Sequence, residues 1–177
     1  KLLETMPSVR ISTLQDVPAI TRIYAHHVLH GTGSFETEAP TEPEMARRRD
    51  EVLQRNLPYL VAVGDDGQVV GYAYANWFKP RPAYRFSAED SIYVAEGQHG
   101  KGIGRLLMQA LIDACEGAGV RKLIAVIGDS GNHGSIGVHT AAGFVPVGTM
   151  RSVGWKFGRW LDIVMMEKTL GAGDSTP

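Results

Sequence analysis

The chain has 177 residues, of which 44% are hydrophobic and 21% are charged, and its formal net charge is −1. This length suits one domain, and the composition is that of a globular protein rather than a disordered one. The near-neutral charge excludes a general attraction to nucleic acid or anionic lipid, so neither nucleic acid nor a membrane is expected as a partner.

The only cysteine of the sequence, Cys115, excludes an internal disulfide and fits a reducing, cytoplasmic location. It lies on the apolar side of a helical pattern, which predicts a buried structural thiol rather than a nucleophile. No apolar run approaches the roughly 18 residues of a membrane span, and no secretory signal is recognisable.

The pattern of apolar residues predicts strands and helices in a mixed order. Alternating or continuous apolar runs predict strands at residues 9–11, 59–63, 69–77, 86–94, 122–127, 144–149 and 161–168. Helical spacing predicts helices at residues 13–31, 41–56, 103–118 and 132–142. Asp65-Asp66-Gly67 is typical of a hairpin turn, and a connection through residues 154–158 is expected between the last two strands. The order β-α-α-β-β-β-α-β-α-β-β predicts one mixed sheet covered by helices.

The two ends of the chain are expected to lie outside the folded domain. Lys1 to Thr5 precede Met6 and are interpreted as a remnant of cloning, so residues 1–7 are expected to form an N-terminal tail. Residues 171–177 are small and polar, which predicts a disordered tail. Residues 8–170 are then a single domain.

A glycine-rich segment at residues 98–105 separates a predicted strand from a predicted helix. Backbone N–H groups are unpaired at the start of a helix, the helix dipole favours an anion there, and glycine lets a phosphate come close. Lys101 and Arg105 add two positive charges at the same place. The segment therefore predicts a site for a pyrophosphate-bearing cofactor.

His26 and His30 are four residues apart on the first predicted helix, a spacing that a metal could use. No motif provides a third ligand, and an ordinary amphipathic pattern accounts for both residues. No metal site is expected.

Two motifs together resemble those of the GNAT superfamily of acyl-coenzyme-A-dependent N-acetyltransferases. Residues 98–104, Gln-His-Gly-Lys-Gly-Ile-Gly, contain the Gln/Arg-x-x-Gly-x-Gly/Ala motif that binds the coenzyme A pyrophosphate in that family. About thirty residues later, Asn132, Ser135, His139 and Gly143-Phe144 match its Asn-x-x-(Ala/Ser)-x-x-x-Tyr-x-x-x-Gly-Phe helix, with histidine in place of tyrosine. The resemblance implies an α/β (α+β) GNAT fold: a single mixed, mostly antiparallel sheet, flanked by about four helices and splayed at the acetyl-CoA site.

A narrower resemblance, over most of residues 8–170, is to the phosphinothricin and methionine sulfoximine N-acetyltransferases. The matching segments are residues 35–38, 71–75, 83–89, 91–94, 126–128 and 156–162. This resemblance implies a homodimer that transfers acetyl from acetyl-CoA to the amino group of a small amino acid analogue, by direct attack in a ternary complex. Two alternatives stay open: another acceptor amine, such as an amino acid, a polyamine or a protein N-terminus, and a non-catalytic acyl-CoA-binding module.

The resemblance also implies catalytic roles for individual residues. Glu89 matches the carboxylate that takes the proton of the amine, directly or through water. His139 occupies the position of the tyrosine of many GNAT members; protonation of the leaving thiolate, a proton shuttle and a packed helix histidine all stay open. Ile92, Tyr93 and Val94 are expected to pair with the pantetheine amides, and a backbone N–H near Tyr93 or Val94 to stabilise the oxyanion.

The expected contacts to the two substrates follow from the same resemblance. Those to acetyl-CoA are Gly100, Lys101, Gly102, Ile103, Gly104, Arg105 and Asn132. Asn132 would equally serve as a helix N-cap. An amino acid analogue carries a carboxylate and further oxygens, so its pocket needs cations and donors. The residues expected there are Lys79, Pro80, Arg81, Glu89, Asp90 and Ser91, with Phe35, Tyr84 and Arg85 as further candidates.

The segment between Trp77 and Tyr84 departs from the sulfoximine-type pattern, because it is one residue longer and carries Pro80 and Pro82. Proline lacks the backbone donor that a strand needs, so this segment is expected to be a loop. The shape of the acceptor pocket depends on it.

Overall fold

A computed structural model describes residues 5–176 of the chain. Within these residues the strands are β1 (Ser8–Ile11), β2 (Tyr59–Val63), β3 (Val69–Trp77), β4 (Ser87–Val94), β5 (Lys122–Gly128), β6 (Val145–Lys156) and β7 (Arg159–Thr169). The α-helices are α1 (Val17–His30), α2 (Glu42–Gln54), α3 (Ile103–Gly117) and α4 (His133–Ala141). Single-turn 3₁₀ helices precede α1, at Leu14–Asp16, and β4, at Pro82–Tyr84. This order confirms the one predicted from the apolar pattern.

The strands form one sheet in the order β1-β2-β3-β4-β5-β7-β6. All neighbours are antiparallel except β4 and β5, which are parallel and are connected by α3. These two strands pair only between Ser87–Glu89 and Lys122–Ile124, whereas β4 stays paired with β3 as far as Val94. The sheet therefore splays between β4 and β5, as predicted for the GNAT fold.

Helices cover both faces of this sheet. A Cβ at Gly71 of β3 would meet Leu107 and Ile103 of α3, so Gly71 faces α3. The next residue, Tyr72, points the other way and contacts Tyr93, which in turn contacts Tyr24 of α1 at 5.1 Å between ring centroids. Side chains alternate along a strand, so each residue of β4 faces either the α1 side or the α3 side.

The α3 side of the sheet contains much of the apolar core. The apolar residues of α3 recur at intervals of three or four, and the buried ones are Ile103, Leu107, Met108, Leu111, Ile112 and Cys115. Each large side chain removed from water in this way contributes about 1.5–3 kcal/mol. Cys115 is buried, as predicted, and burial raises the pKa of its thiol to about 12.

The β6–β7 hairpin differs from the prediction, which ended the sixth strand at residue 149. The strand continues to Lys156, and Phe157-Gly158 form a two-residue turn with φ of 54° and 70°. The register shifts between Met150 and Gly154, where Ser152 has φ of 54°. This irregularity interrupts the apolar alternation, and for that reason the pattern in the sequence stops too early.

The C-terminal segment also differs from the expectation of disorder. Residues 171–174 form turns, and the Arg121 guanidinium donates to the carbonyl oxygens of Gly173, at 2.8 Å, and of Thr176. Residues 1–4 and 177 lie outside the described residues, so most of the predicted N-terminal tail and the last tail residue do too. None of the helices within residues 5–176 has the length and apolar character that crossing a membrane requires.

Candidate active site

A cleft of about 1190 Å³ opens where β4 and β5 separate. Its walls come from the loop after α1, the second half of β4, the glycine-rich segment with the start of α3, and the end of β5 with α4. A cleft between the carboxyl ends of two diverging parallel strands exposes backbone polar groups that the sheet does not pair.

The glycine-rich segment forms the wall at the start of α3. Gly100 and Gly102 have φ of 78° and 80°, a left-handed conformation that only glycine adopts at little cost. Gly102 is the N-cap residue of α3, and neither a side-chain cap nor an acidic residue occupies the first turn. The N–H groups of this turn are thus available to an external anion.

Most of the predicted acetyl-CoA contacts lie at the cleft. The lining residues among them are Ile92, Tyr93, Val94, Gly100, Gly102, Ile103, Gly104, Arg105 and Asn132. Lys101 is exposed and does not line the cleft. Asn132 acts as the N-cap of α4, since its Oδ1 accepts from the Ser135 N–H at 3.2 Å while its Nδ2 donates to the Gly128 carbonyl at 3.0 Å.

One residue of this region, His27, has no signal in the sequence. Its Nε2 lies 2.8 Å from the carbonyl oxygen of Val94, at the free end of β4. The carbonyl can only accept, so Nε2 carries the proton. Burial lowers the pKa of His27, which favours the neutral ring that makes this single donation. His27 thus ties α1 to the splayed end of β4.

Glu89 is half-buried on the side of β4 that faces α1, and it lines the cleft. Burial raises the pKa of its carboxyl group, the negative charge of Asp90 adds to this effect, and Lys79 opposes it. A general base is most effective when its pKa is close to the working pH, and a raised pKa brings a carboxylate closer to that condition.

Asp90, the next residue, faces the α3 side and forms a buried pair with His139 of α4. The distance between His139 Nε2 and Asp90 Oδ2 is 2.7 Å, and that between His139 Nδ1 and the Ser135 carbonyl oxygen is also 2.7 Å. Both residues are nearly inaccessible to solvent, and Asp90 Oδ1 has no hydrogen-bond partner within residues 5–176. Burial alone would lower the pKa of His139, but the Asp90 carboxylate outweighs burial and raises it.

The pair changes the expectation for both residues. Asp90, expected to contact the acceptor, lines the cleft, but its side chain points away from Glu89 and binds His139. For His139, protonation of the thiolate, a proton shuttle and a packed helix histidine had all stayed open. Both of its ring nitrogens have protein partners, which favours the packed histidine. It borders the cleft as a packed ring, with Phe144 at 4.9 Å between centroids.

The predicted acceptor residues separate into two groups. Glu89, Asp90 and Ser91 line the cleft, whereas Lys79, Pro80 and Arg81 are exposed and do not. The 3₁₀ turn at Pro82–Tyr84 keeps this proline-containing segment at the surface, beside the cleft rather than in it. Lys79 is still close enough to Glu89 to affect its pKa.

Three comparisons relate this geometry to known proteins. Residues 21–144 match the model of the acetyltransferase (GNAT) family. The chain is 54% identical over 169 residues to the phosphinothricin N-acetyltransferase of Alcaligenes faecalis, across 96% of this chain and 85% of that protein. It is 38% identical over 174 residues to the L-methionine sulfoximine/L-methionine sulfone acetyltransferase of Pseudomonas aeruginosa, across 96% and 98% of the two chains.

The fold is also similar to that of a solved structure. The crystal structure of a GNAT superfamily phosphinothricin acetyltransferase from Sinorhizobium meliloti, in complex with AcCoA, matches with a TM-score of 0.95 and 42% sequence identity. The match covers 98% of this chain and 93% of that one.

Proposed function

Because the chain belongs to the GNAT acetyltransferase family, we propose that it transfers the acetyl group of acetyl-CoA to the amino group of a small amino acid analogue of the phosphinothricin or methionine sulfoximine type. The observation that carries this proposal is the position of Glu89 in the same cleft as the uncapped start of α3. The start of α3 suits a pyrophosphate, and Glu89 suits an ammonium group that must lose a proton.

The residues of the cleft fit acetyl-CoA. A Cβ at Gly100 would have open space around it, and a Cβ at Gly102 would meet only Met6, at 3.6 Å, among the described residues. Arg105 adds a positive charge at the cleft wall, and the splayed edge of β4 at Ile92–Val94 offers backbone groups to an extended amide chain. When bound there, acetyl-CoA supplies an activated acetyl group.

Glu89 is the proposed general base. An ammonium has no lone pair, and for an amine whose pKa lies two units above neutrality the loss of its proton costs about 2.7 kcal/mol. A carboxylate at the cleft, directly or through water, accepts that proton as the amine attacks in the ternary complex. Burial raises the pKa of Glu89, which makes its carboxylate a stronger base.

We propose that His139 is a packed ring that binds Asp90, and that it does not protonate the leaving thiolate. Its Nδ1–H donates to Ser135, and the proton between Nε2 and Asp90 is held by both partners. Release of that proton would leave the buried Asp90 charge with less compensation, which is costly in a low-dielectric interior. A thiolate with a pKa of roughly 8.5 needs little assistance to leave.

We also propose that the protein is a homodimer that uses the β6–β7 hairpin as its interface. Trp155, Phe157 and Trp160 are exposed to 58%, 55% and 61% at the end of this hairpin. Val145, Val147, Met150 and Val153 of β6 are also exposed. An apolar surface of this kind on one element is typical of a protein–protein contact.

A panel of free amines, tested with acetyl-CoA by following thiol release, is the experiment that decides the acceptor. Turnover with phosphinothricin or methionine sulfoximine is the expected result. Turnover only with other amino acids, polyamines or peptide N-termini would replace the acceptor but keep the reaction. Tight binding of acetyl-CoA without turnover of any amine would identify a non-catalytic acyl-CoA-binding module instead.

A further inference from the structure

The loop at residues 31–36, here called the wall loop, forms one side of the cleft without regular secondary structure. Tyr24 of α1 hydrogen-bonds Ser34 of this loop at 2.8 Å and contacts the Tyr93 ring. Tyr93 lies on the same face of β4 as Glu89. The wall loop therefore borders the side of the cleft where the proposed base lies.

Lys156, at the end of β6, holds this loop from the opposite side. Its Nζ donates to the carbonyl oxygens of Gly31, at 2.8 Å, and Ser34, at 2.7 Å, and only 4% of the residue is exposed. Burial of a lysine is costly, and burial here lowers the pKa of Lys156. Its hydrogen-bond acceptors within residues 5–176 are neutral carbonyls of the wall loop, so the contact orders the loop backbone rather than pairing charges.

The Phe35 ring fixes the same loop by close packing against two strands. A Cβ at Gly128, on β5, would lie 2.5 Å from the Phe35 ring, and a Cβ at Gly154, on β6, would overlap the ring. Neither glycine has a positive φ, so the need for glycine arises from the close approach of the ring. The ring lies against the backbone of both strands in the notch that the two glycines leave.

A third set of contacts connects the loop to α2. The Arg48 guanidinium donates to both carboxylate oxygens of Glu36, at 2.7 and 2.9 Å, and Tyr24 also donates to Glu36. The carbonyl oxygens of Gly31 and Ser34, however, are held by Lys156 of the hairpin. Loss of the hairpin contacts would leave Thr32 and Gly33 without these neighbouring anchors.

From these contacts we propose that Lys156 is a positioning residue for the acceptor side of the cleft: it fixes the wall loop so that the acceptor amine is presented to Glu89. The acceptor part of this inference rests on the proposed function. The fixing of the loop does not, because it concerns the protein alone. A wall that moves by about 1 Å can lower a rate 100-fold, even when it makes no contact with the reacting atoms.

The test compares Lys156→Met with a control away from the hairpin, Arg22→Met, whose residue is exposed on α1. Hydrogen–deuterium exchange of the protein without substrates should increase at residues 31–36 in Lys156→Met only. In kinetics, kcat/KM for the acceptor should fall about tenfold or more, while the affinity for acetyl-CoA, measured by calorimetry, changes less than about twofold. Arg22→Met should leave all three quantities unchanged.

Gly154→Ala provides a second variant in case the first does not fold. It keeps Lys156 but displaces the Phe35 ring. It should therefore also lower kcat/KM for the acceptor while the affinity for acetyl-CoA changes little. Unchanged exchange at residues 31–36 in the folded variants would overturn the inference, and so would an equal loss for both substrates. If the parent protein acetylates no amine, the proposed function fails, and the exchange measurement still decides whether Lys156 fixes the loop.

Discussion

Glu89 and Asp90 are adjacent carboxylates on β4, but the strand points them to opposite faces of the sheet. Glu89 lines the cleft with a raised pKa, whereas Asp90 is buried against His139. Two identical groups thus differ in accessibility and in their neighbours. We therefore expect Glu89 to exchange a proton with a substrate and Asp90 to hold the buried His139 ring.

Replacement of Glu89 by glutamine should lower turnover about 100-fold or more, because general base catalysis contributes a factor of that order. The amide keeps the shape of the side chain, so acetyl-CoA binding should stay within about twofold. In the parent protein kcat/KM should fall on the acid side, at a pH above that of an ordinary glutamate, because Glu89 has a raised pKa. Exposed Glu116 on α3 offers the control Glu116→Gln. Full activity of Glu89→Gln would exclude this residue as the base.

Replacement of Asp90 by asparagine should destabilise the protein in a pH-dependent way. The folded pKa of His139 is raised, so its stabilising contribution is complete below the unfolded value of about 6.5 and is lost as pH rises through the folded value. At pH 6 the loss should be about 3 kcal/mol, a fall in Tm of roughly 6–12 °C, and it should be smaller at pH 9. Cys115, also near Asp90, stays neutral over this range.

Thermal unfolding at the two pH values measures this effect, with Asp113→Asn as the control. Asp113 is exposed on α3 and bonds only its neighbour Gln109 among the described residues. A loss of stability in Asp90→Asn that is independent of pH would show that the pair does not hold a proton.

At the scale of elements, the glycine-rich segment and α3 act together. The segment places unpaired N–H groups at the cleft, and the apolar face of α3 fixes their direction because it packs on the sheet. We therefore expect the backbone conformation at Gly102 to contribute to acetyl-CoA binding as well as to the turn.

Replacement of Gly102 by valine should weaken acetyl-CoA binding at least about tenfold. The left-handed conformation costs a residue with a Cβ about 1–2 kcal/mol, and a branched side chain would face an incoming pyrophosphate. Within the protein the new Cβ would meet only Met6 among the described residues, so the fold should persist. Calorimetry with acetyl-CoA measures the change.

Gly117→Ala, at the other end of α3, is the matched control. Gly117 has no positive φ and open space around its Cβ position, so alanine should bind acetyl-CoA normally and stabilise the helix slightly. Equal affinity of Gly102→Val and the parent protein for acetyl-CoA would contradict the assignment of this turn as the pyrophosphate site.

At the scale of the whole molecule, the β6–β7 hairpin links the proposed dimer to the cleft. Trp155 and Phe157 point outward from its end, and Lys156 between them points inward to the wall loop. A partner that covers the aromatic side chains would stabilise the element on which the wall loop depends. Dimer formation and acceptor binding should then be coupled.

The double variant Trp155→Glu, Trp160→Glu should be a monomer, because two charges would be buried in an apolar contact. Sedimentation should give twice the mass of one chain for the parent protein and the mass of one chain for the variant. Leu14→Glu is the control, since Leu14 is 63% exposed but lies next to β1, at the opposite edge of the sheet. A parent protein that sediments as a monomer would remove the dimer proposal.

Much of the fold could be predicted from local patterns. The hairpin around Gly67 and the strands β2 and β3 follow from turn chemistry and apolar runs, and the structure has them at the predicted bounds. The end of β6 could not be predicted, because the irregularity at Ser152 shifts the alternation on which the prediction depends. The order of the C-terminal segment depends on Arg121, which lies about fifty residues away in the chain.

The sequence by itself determined the family and indicated the helix start that suits a pyrophosphate, because both depend on residues close together in the chain. The choice of Glu89 as the base follows from the family resemblance and stays a prediction. Only the tertiary structure decided that Asp90 binds His139, that the proline-containing segment lies beside the cleft, and that Lys156 holds a loop more than 120 residues before it. The physical reason is that these contacts depend on which face of a strand a side chain occupies and on what packs there. Such contacts join distant parts of the chain, and local spacing carries no information about them.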